Sequence, residues 1–141
     1  MGSVASYFID TSASARIHLS PVAAMLEQLI EAGRVATCAA LDFEDLFSAR
    51  NPAHYFQTRT IRRDGYEYLT TDEQDWRRAL EVQAELATHG RWREVGMADL
   101  LIAAVAERHA LTLLHYDADF ETIAEVTGQD ARWVVPRGSI A

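Results

Sequence analysis

Five carboxylates in this chain stand where an acid is costly or exactingly placed. Asp99 lies in Met97-Ala98-Asp99-Leu100-Leu101-Ile102-Ala103-Ala104, at the mouth of a helix that is otherwise apolar around its first two turns. Such a helix belongs in the interior. An ionised Asp there needs a cation or more donors than the free N–H groups of a helix start supply. Asp10 ends the apolar run Tyr7-Phe8-Ile9, Glu44 lies in Asp42-Phe43-Glu44-Asp45-Leu46-Phe47, and Asp117 ends Leu113-Leu114-His115-Tyr116, with Asp119 following. Taken singly, each has a plainer reading as a helix cap or turn residue. Gathered in one crevice they repel one another, so either their pKa values rise or cations are held between them. Hard oxygen ligands select Mg²⁺ or Mn²⁺, and a pair of such ions is the usual apparatus for in-line attack of water on a phosphodiester.

The elements that must bring these acids together alternate between strand and helix. Ser6 to Asp10 reads as a buried strand, followed by Thr11-Ser12 as a cap for helix over 13–19. Ser20-Pro21 opens a second helix, stopped by Gly33. Residues 34–39 form the next strand, and 41–50 return to helical periodicity. Asn51-Pro52 starts a helix ending near Asp64-Gly65, and 66–69 is either a short strand or a connection. Thr70 to Glu73 begins a helix with Trp76, Leu80, Val82, Leu86 and Ala87 as its apolar positions. Residues 91–96 form a loop before the Asp99 helix, 112–115 is the clearest strand, 119–126 is helical, and 132–136 is a last strand. Alternation of this kind implies a parallel sheet covered on both faces, an α/β fold. Asp10 and Asp117 then sit just past strand carboxyl ends, where open α/β sheets place their ligand crevice. Glu44 and Asp99 are expected in the first turns of helices entered from the same side.

Composition narrows the function. The length of 141 residues suits one domain spanning 1–141. All 13 basic residues are Arg, so enzymes needing a phosphate-binding or Schiff-base lysine are excluded. The net charge of −8 opposes a simple electrostatic nucleic-acid binder but suits an enzyme whose acids are neutralised by metal. The single Cys38 allows no internal disulfide and reads as a buried core residue. The longest apolar run, Leu100 to Ala106, is too short for a membrane span. The start of the chain lacks a basic segment and meets Asp10 early, which points to a cytoplasmic protein. The five His residues have no metalloprotease spacing.

The segments Ile9-Asp10-Thr11-Ser12-Ala13, Glu44-Asp45-Leu46-Phe47-Ser48-Ala49-Arg50, Asp99-Leu100-Leu101-Ile102-Ala103-Ala104 and Leu114-His115-Tyr116-Asp117-Ala118-Asp119-Phe120 resemble the successive motifs of PIN-domain ribonucleases, specifically the VapC toxins of VapBC toxin–antitoxin pairs. The tail Thr127-Gly128 through Arg132-Trp133-Val134-Val135-Pro136-Arg137-Gly138 is similar to the same group. The resemblance implies a three-layer α/β/α domain with a central parallel sheet of about four to five strands. It implies a Mg²⁺ or Mn²⁺ site built from Asp10, Glu44, Asp99 and Asp117, with Asp119 auxiliary and the Thr11 hydroxyl behind them. Family members usually carry an apolar residue where this chain has Asp45, so Asp45 either points to solvent or supplements the site.

What the resemblance further implies is an endoribonuclease acting as a type II toxin. Its expected partners are an RNA substrate, a VapB-type antitoxin whose C-terminal segment obstructs the crevice, and a second copy in a homodimer within a hetero-oligomer. Two groups of residues suit RNA. Arg59, Arg62 and Arg63 share a helix face that suits phosphates, and Arg91, Trp92 and Arg93 combine charge with a ring that can stack on a base. Trp76 and Trp133 are assigned to the core. The rival reading is a catalytically silent PIN-like module whose acids receive a basic partner segment.

Overall fold

The computed structural model describes residues 5–141; the first four residues of the expected 1–141 domain lie outside the described residues. Five strands, β1 (Tyr7–Ile9), β2 (Val35–Thr37), β3 (Glu67–Tyr68), β4 (Thr112–His115) and β5 (Ala131–Trp133), form one parallel sheet in the order β3-β2-β1-β4-β5. The undecided segment at 66–69 is therefore a strand, and it extends by a Leu69 N–H bond to the Thr37 carbonyl at 2.8 Å. The connecting helices are α1 (Thr11–Ser14), α2 (Ser20–Glu31), α3 (Ala39–Phe47), α4 (Pro52–Gly65), α5 (Glu73–Thr88), α6 (Met97–Arg108) and α7 (Ala118–Thr127).

Because successive strand side chains point to opposite faces, each central strand feeds two cores. Phe8, Ala36 and Leu113 enter one cluster with Leu41, Val82, Leu86, Ile102, Phe120 and Ile123, under α3, α5, α6 and α7. Ile9, Val35 and Leu114 enter the other with Ala13, Val22 and Leu26, under α1 and α2. The result is the three-layer α/β/α arrangement. Helix α6 is buried from Leu100 through Ala106, as its apolar sequence demands, and Cys38 is fully buried. No helix among the described residues is long and apolar enough to cross a membrane.

Three details depart from the sequence reading. Helix α1 stops at Ser14 because Arg16, Ile17 and Leu19 bond three residues back rather than four, to Ala13, Ser14 and Arg16. Helix α3 starts at Ala39, which puts Glu44 in its second turn rather than its first. Trp76 and Leu80 are 40% and 64% exposed, since the buried stripe of α5 is Asp75, Ala79, Val82 and Leu86. Asp75 can occupy that stripe because Arg108 of α6 clasps it with two bonds, Nε to Oδ1 at 2.8 Å and Nη2 to Oδ2 at 2.9 Å. That clasp fixes α6, and with it Asp99, against α5.

Helix α7 ends in a left-handed Gly128, φ 71°, with open space where a Cβ would stand. Gly128→Ala is therefore expected to cost about 1–2 kcal/mol from the backbone alone. Urea unfolding should show the loss while Mn²⁺ affinity stays unchanged, since the substitution lies at the far end of the helix from Asp117.

Candidate metal centre

The strand order reverses between β1 and β4: from β1 the chain crosses to β2 on one side, whereas β4 and β5 lie on the other. A crevice at the carboxyl ends of two such strands is the standard ligand position in open α/β sheets. Asp10 leaves β1 and caps α1, its Oδ2 accepting from the Ser12 N–H at 2.9 Å. Asp117 follows β4 and caps α7, its Oδ1 accepting from the Asp119 N–H at 2.9 Å. Asp99 is the third residue of α6, whose N-cap Gly96 contributes no side-chain bond.

One oxygen each from Asp10, Glu44 and Asp99 lie within 4.8 Å of one another, and the same is true of Asp99, Asp117 and Asp119. All five acids are thus brought together, in two sets that share Asp99. The electrostatic cost is visible in their proton affinities. Burial, and then the charges of Asp10, Glu44, Asp117 and Asp119, push Asp99 up to about 7. Burial also raises Asp10, with Asp117 adding to it and the Ser12 hydrogen bonds opposing. Glu44 is raised by burial and by Asp10 and Asp117, and Asp119 by burial and by Asp117 and Glu94.

A divalent cation fits this set. Every donor is a carboxylate oxygen, the ligand type hard cations prefer. Asp10 Oδ1 is buried with no hydrogen-bond partner, as is Thr11 Oγ1. Among the described residues, no Arg is ion-paired to Asp10, Glu44, Asp99, Asp117 or Asp119. Clustered, largely half-buried like charges without a protein counter-charge call for an external one.

Glu44 faces the acids because its neighbours are held elsewhere. At 3.6 residues per turn, Asp42 and Asp45 share one side of α3 and Glu44 takes another. Arg62 of α4 donates from Nε to Asp42 at 2.8 Å, from Nη1 to Asp45 at 3.0 Å and from Nη2 to Thr37 Oγ1 at 3.0 Å. Its guanidinium also lies 4.9 Å from the centre of the Tyr66 ring. Asp45 therefore belongs to an ion-pair network, not to solvent or to the acid cluster. Arg62 is buried and fully engaged, so it leaves the phosphate-gripping face expected for α4, while Arg59 and Arg63 remain exposed beside it.

The loop residues are placed differently. Arg91 pairs with Glu94 at 2.7 Å and Glu125 at 3.2 Å, which occupies its guanidinium. Trp92 is 41% exposed with Arg93 5.0 Å from its ring, and it lines a cavity with Leu80, Gln83 and Ala87 of α5 that none of the five acids borders.

Two supporting residues escaped the sequence reading. Ser12 Oγ accepts from the Tyr116 N–H at 2.8 Å, tying α1 to the turn after β4. His115 is buried, its Nδ1 accepting from the Asp117 N–H at 3.2 Å. Burial pushes its pKa down to about 4, so it is a neutral acceptor that sets the turn carrying Asp117. A Ser two residues after a strand-ending Asp carries an Asx-turn signal; His115 carries none.

Known proteins share this chain's family and fold. The model of the PIN domain family matches residues 7–126. Ribonuclease VapC21 of Mycobacterium tuberculosis (strain ATCC 25618 / H37Rv) is 44% identical over 133 residues, covering 94% of this chain and 96% of that protein. Ribonuclease VapC51 of the same strain is 41% identical over 134 residues, covering 95% and 96%. Among solved structures, VapBC2 from Rickettsia felis bound to a DNA fragment from its promoter superposes with a TM-score of 0.71 at 19% identity, covering 89% of this chain and 96% of that one. With a family model spanning most of its length and relatives matched nearly end to end, the chain belongs to the PIN domain family and, within it, to the VapC proteins.

Proposed function

We propose that this chain is a Mg²⁺- or Mn²⁺-dependent endoribonuclease, the toxin of a VapBC pair, hydrolysing RNA phosphodiester bonds and silenced by an antitoxin. The observation that carries the reading is the pair of overlapping carboxylate sets sharing Asp99, with no protein cation paired to either. The ribonuclease names of its relatives and the toxin–antitoxin complexes among its structural neighbours support the activity and the partner.

Asp10, Asp99 and Asp117 would hold the metal, with Glu44 and Asp119 completing the two sets. When bound, the metal supplies positive charge to the phosphate and lowers the pKa of attacking water. The chain's own part is positional. Glu44, raised in proton affinity, holds the attacking water by a hydrogen bond to its carboxylate and takes its proton as the oxygen meets phosphorus. The bond to the 3′ oxygen breaks opposite and that oxygen takes a proton from solvent, giving a 5′ phosphate and a 3′ hydroxyl. Ser12 and His115 keep the two loops that carry Asp10 and Asp117 in register while this happens. An antitoxin Arg would suit the same acids, because a guanidinium pairs with carboxylates that otherwise bind metal.

The test is RNA cleavage by the purified, partner-free protein. Cleavage is expected with Mg²⁺ or Mn²⁺ and none with a chelator. Asp117→Asn is expected to lower the rate by more than about 100-fold, since loss even of groups that merely support metal ligands reaches that range. Cleavage that persists in the chelator would sink the metal-dependent reading.

A further inference from the structure

The carboxylates account for the phosphate of a substrate but not for the bases beside it. A cavity of about 320 Å³ is lined by Phe43, Glu44, Thr71, Trp76, Met97 and Leu101, among others. Three observations distinguish it from an ordinary surface hollow. Glu44 belongs both to its wall and to the acid cluster, so whatever occupies it lies next to the reacting phosphate. The rings of Phe43 and Trp76 are 77% and 40% exposed, a poor arrangement for apolar rings unless something covers them. The hydroxyl of Thr71, the wall's polar side chain besides Glu44, is buried with no hydrogen-bond partner.

Flat, largely apolar walls with a hydroxyl and a carboxylate among them describe a receiver for a ring that carries hydrogen-bonding edges. Unpaired bases are held in this way, stacked on aromatic side chains and read along their edges. We propose that this cavity receives one nucleobase of single-stranded RNA, the base beside the scissile phosphate, stacked on Trp76, with the Thr71 side chain turning about χ1 to bring Oγ1 onto its edge. The proposal rests on the nuclease reading and adds to it a determinant of base preference. An apolar side chain from a protein partner would cover the same rings but offer the Thr71 hydroxyl no bond, so that hydroxyl would stay unpaired. A base satisfies both requirements. The cavity also explains why α5 turns Trp76 outward while its buried stripe passes through Asp75 and Ala79.

The experiment uses the full chain with Trp76→Ala and Thr71→Val, and RNA strands carrying each of the four bases, an abasic residue or 2-aminopurine beside the cleaved bond. Both variants are expected to bind Mn²⁺ as the parent does, which shows that they fold. Trp76→Ala should lose roughly five- to hundredfold in kcat/KM on strands with a base there. The parent should lose a similar factor on the abasic strand, and the two losses should not add, because they remove one contact from its two sides. Thr71→Val, nearly isosteric, should change the ranking of the four bases. In the parent, 2-aminopurine fluorescence should be quenched before cleavage.

Unchanged base ranking and additive losses would overturn the proposal. So would variants that cleave like the parent but bind a VapB-type antitoxin more weakly, since the cavity would then be a protein-docking pocket. A parent that quenches 2-aminopurine without cutting the strand would overturn the nuclease reading and leave the base pocket standing.

Discussion

Asp99→Asn is expected to stabilise the metal-free protein while abolishing its metal binding. Asp99 titrates near 7 in the folded chain against 3.8 in the unfolded one. The folded state therefore holds a proton more tightly than the unfolded state. The penalty of the ionised group is fully present above about pH 7 and shrinks as pH falls through that value toward the unfolded pKa. At about 1.36 kcal/mol per unit this is slightly more than about 4 kcal/mol, and because the side chain is partly exposed we take about 2 kcal/mol. Asparagine keeps the size and removes the charge. In EDTA at pH 7.5 the variant should melt about 5–10 °C above the parent. The gap should narrow toward pH 5.5, where the parent carries its proton. Saturating Mn²⁺ should reverse the order, since only the parent gains the binding free energy. A variant that melts below its parent in EDTA would show that the protein itself satisfies the Asp99 charge, and the case for a shared metal ligand would fall.

The reason Asp99 could be singled out in the sequence is the reason it is strained in the fold. A carboxylate at the start of a helix buried from Leu100 through Ala106 has nowhere apolar to go. Asp10 and Asp117 were legible because each ends an apolar run, and parallel strands ending side by side bring their last residues together. Glu44 was legible as one acid on a helix entered from the crevice side, but its choice over Asp45 rested on the family motif. Its own neighbourhood offers Asp42, Glu44 and Asp45 in four residues, and which of them faces the crevice depends on where α3 begins and on what α4 sets against it. Periodicity names the residues that share a face but not the partner that face meets. That limit explains two differences: periodicity groups Arg62 with Arg59 and Arg63, and it puts Trp76 in the core stripe that Asp75 occupies. In each case a long-range Arg–Asp clasp decides the matter, Arg62 with Asp42 and Asp45, Arg108 with Asp75.

The Arg62 clasp is also where a single substitution away from the acids should do most damage. Its side chain is 7% exposed, with Asp42 and Asp45 at 26% and 19%. Arg62→Met preserves much of the apolar stem but leaves two neighbouring carboxylates facing each other. It also removes a donor from Thr37 Oγ1, whose own bond to Asp42 Oδ1 is 2.7 Å. Breaking a fully buried pair costs about 3–5 kcal/mol; the residual exposure of the two acids brings the expectation here to about 2–4 kcal/mol, or a fall in Tm on the order of 10 °C. The damage should reach the acid cluster, because the orientation of α3 places Glu44 there. Mn²⁺ affinity should therefore weaken although Arg62 touches none of the acids that form it. Arg62→Lys should recover little, since an ammonium cannot serve three acceptors with the fixed fork of a guanidinium. Adding Asp42→Asn and Asp45→Asn to Arg62→Met should recover a good part of the stability by removing the stranded charges. If Arg62→Met instead melted like the parent and lost only RNA affinity, Arg62 would act on substrate phosphates and the structural clasp would carry no weight.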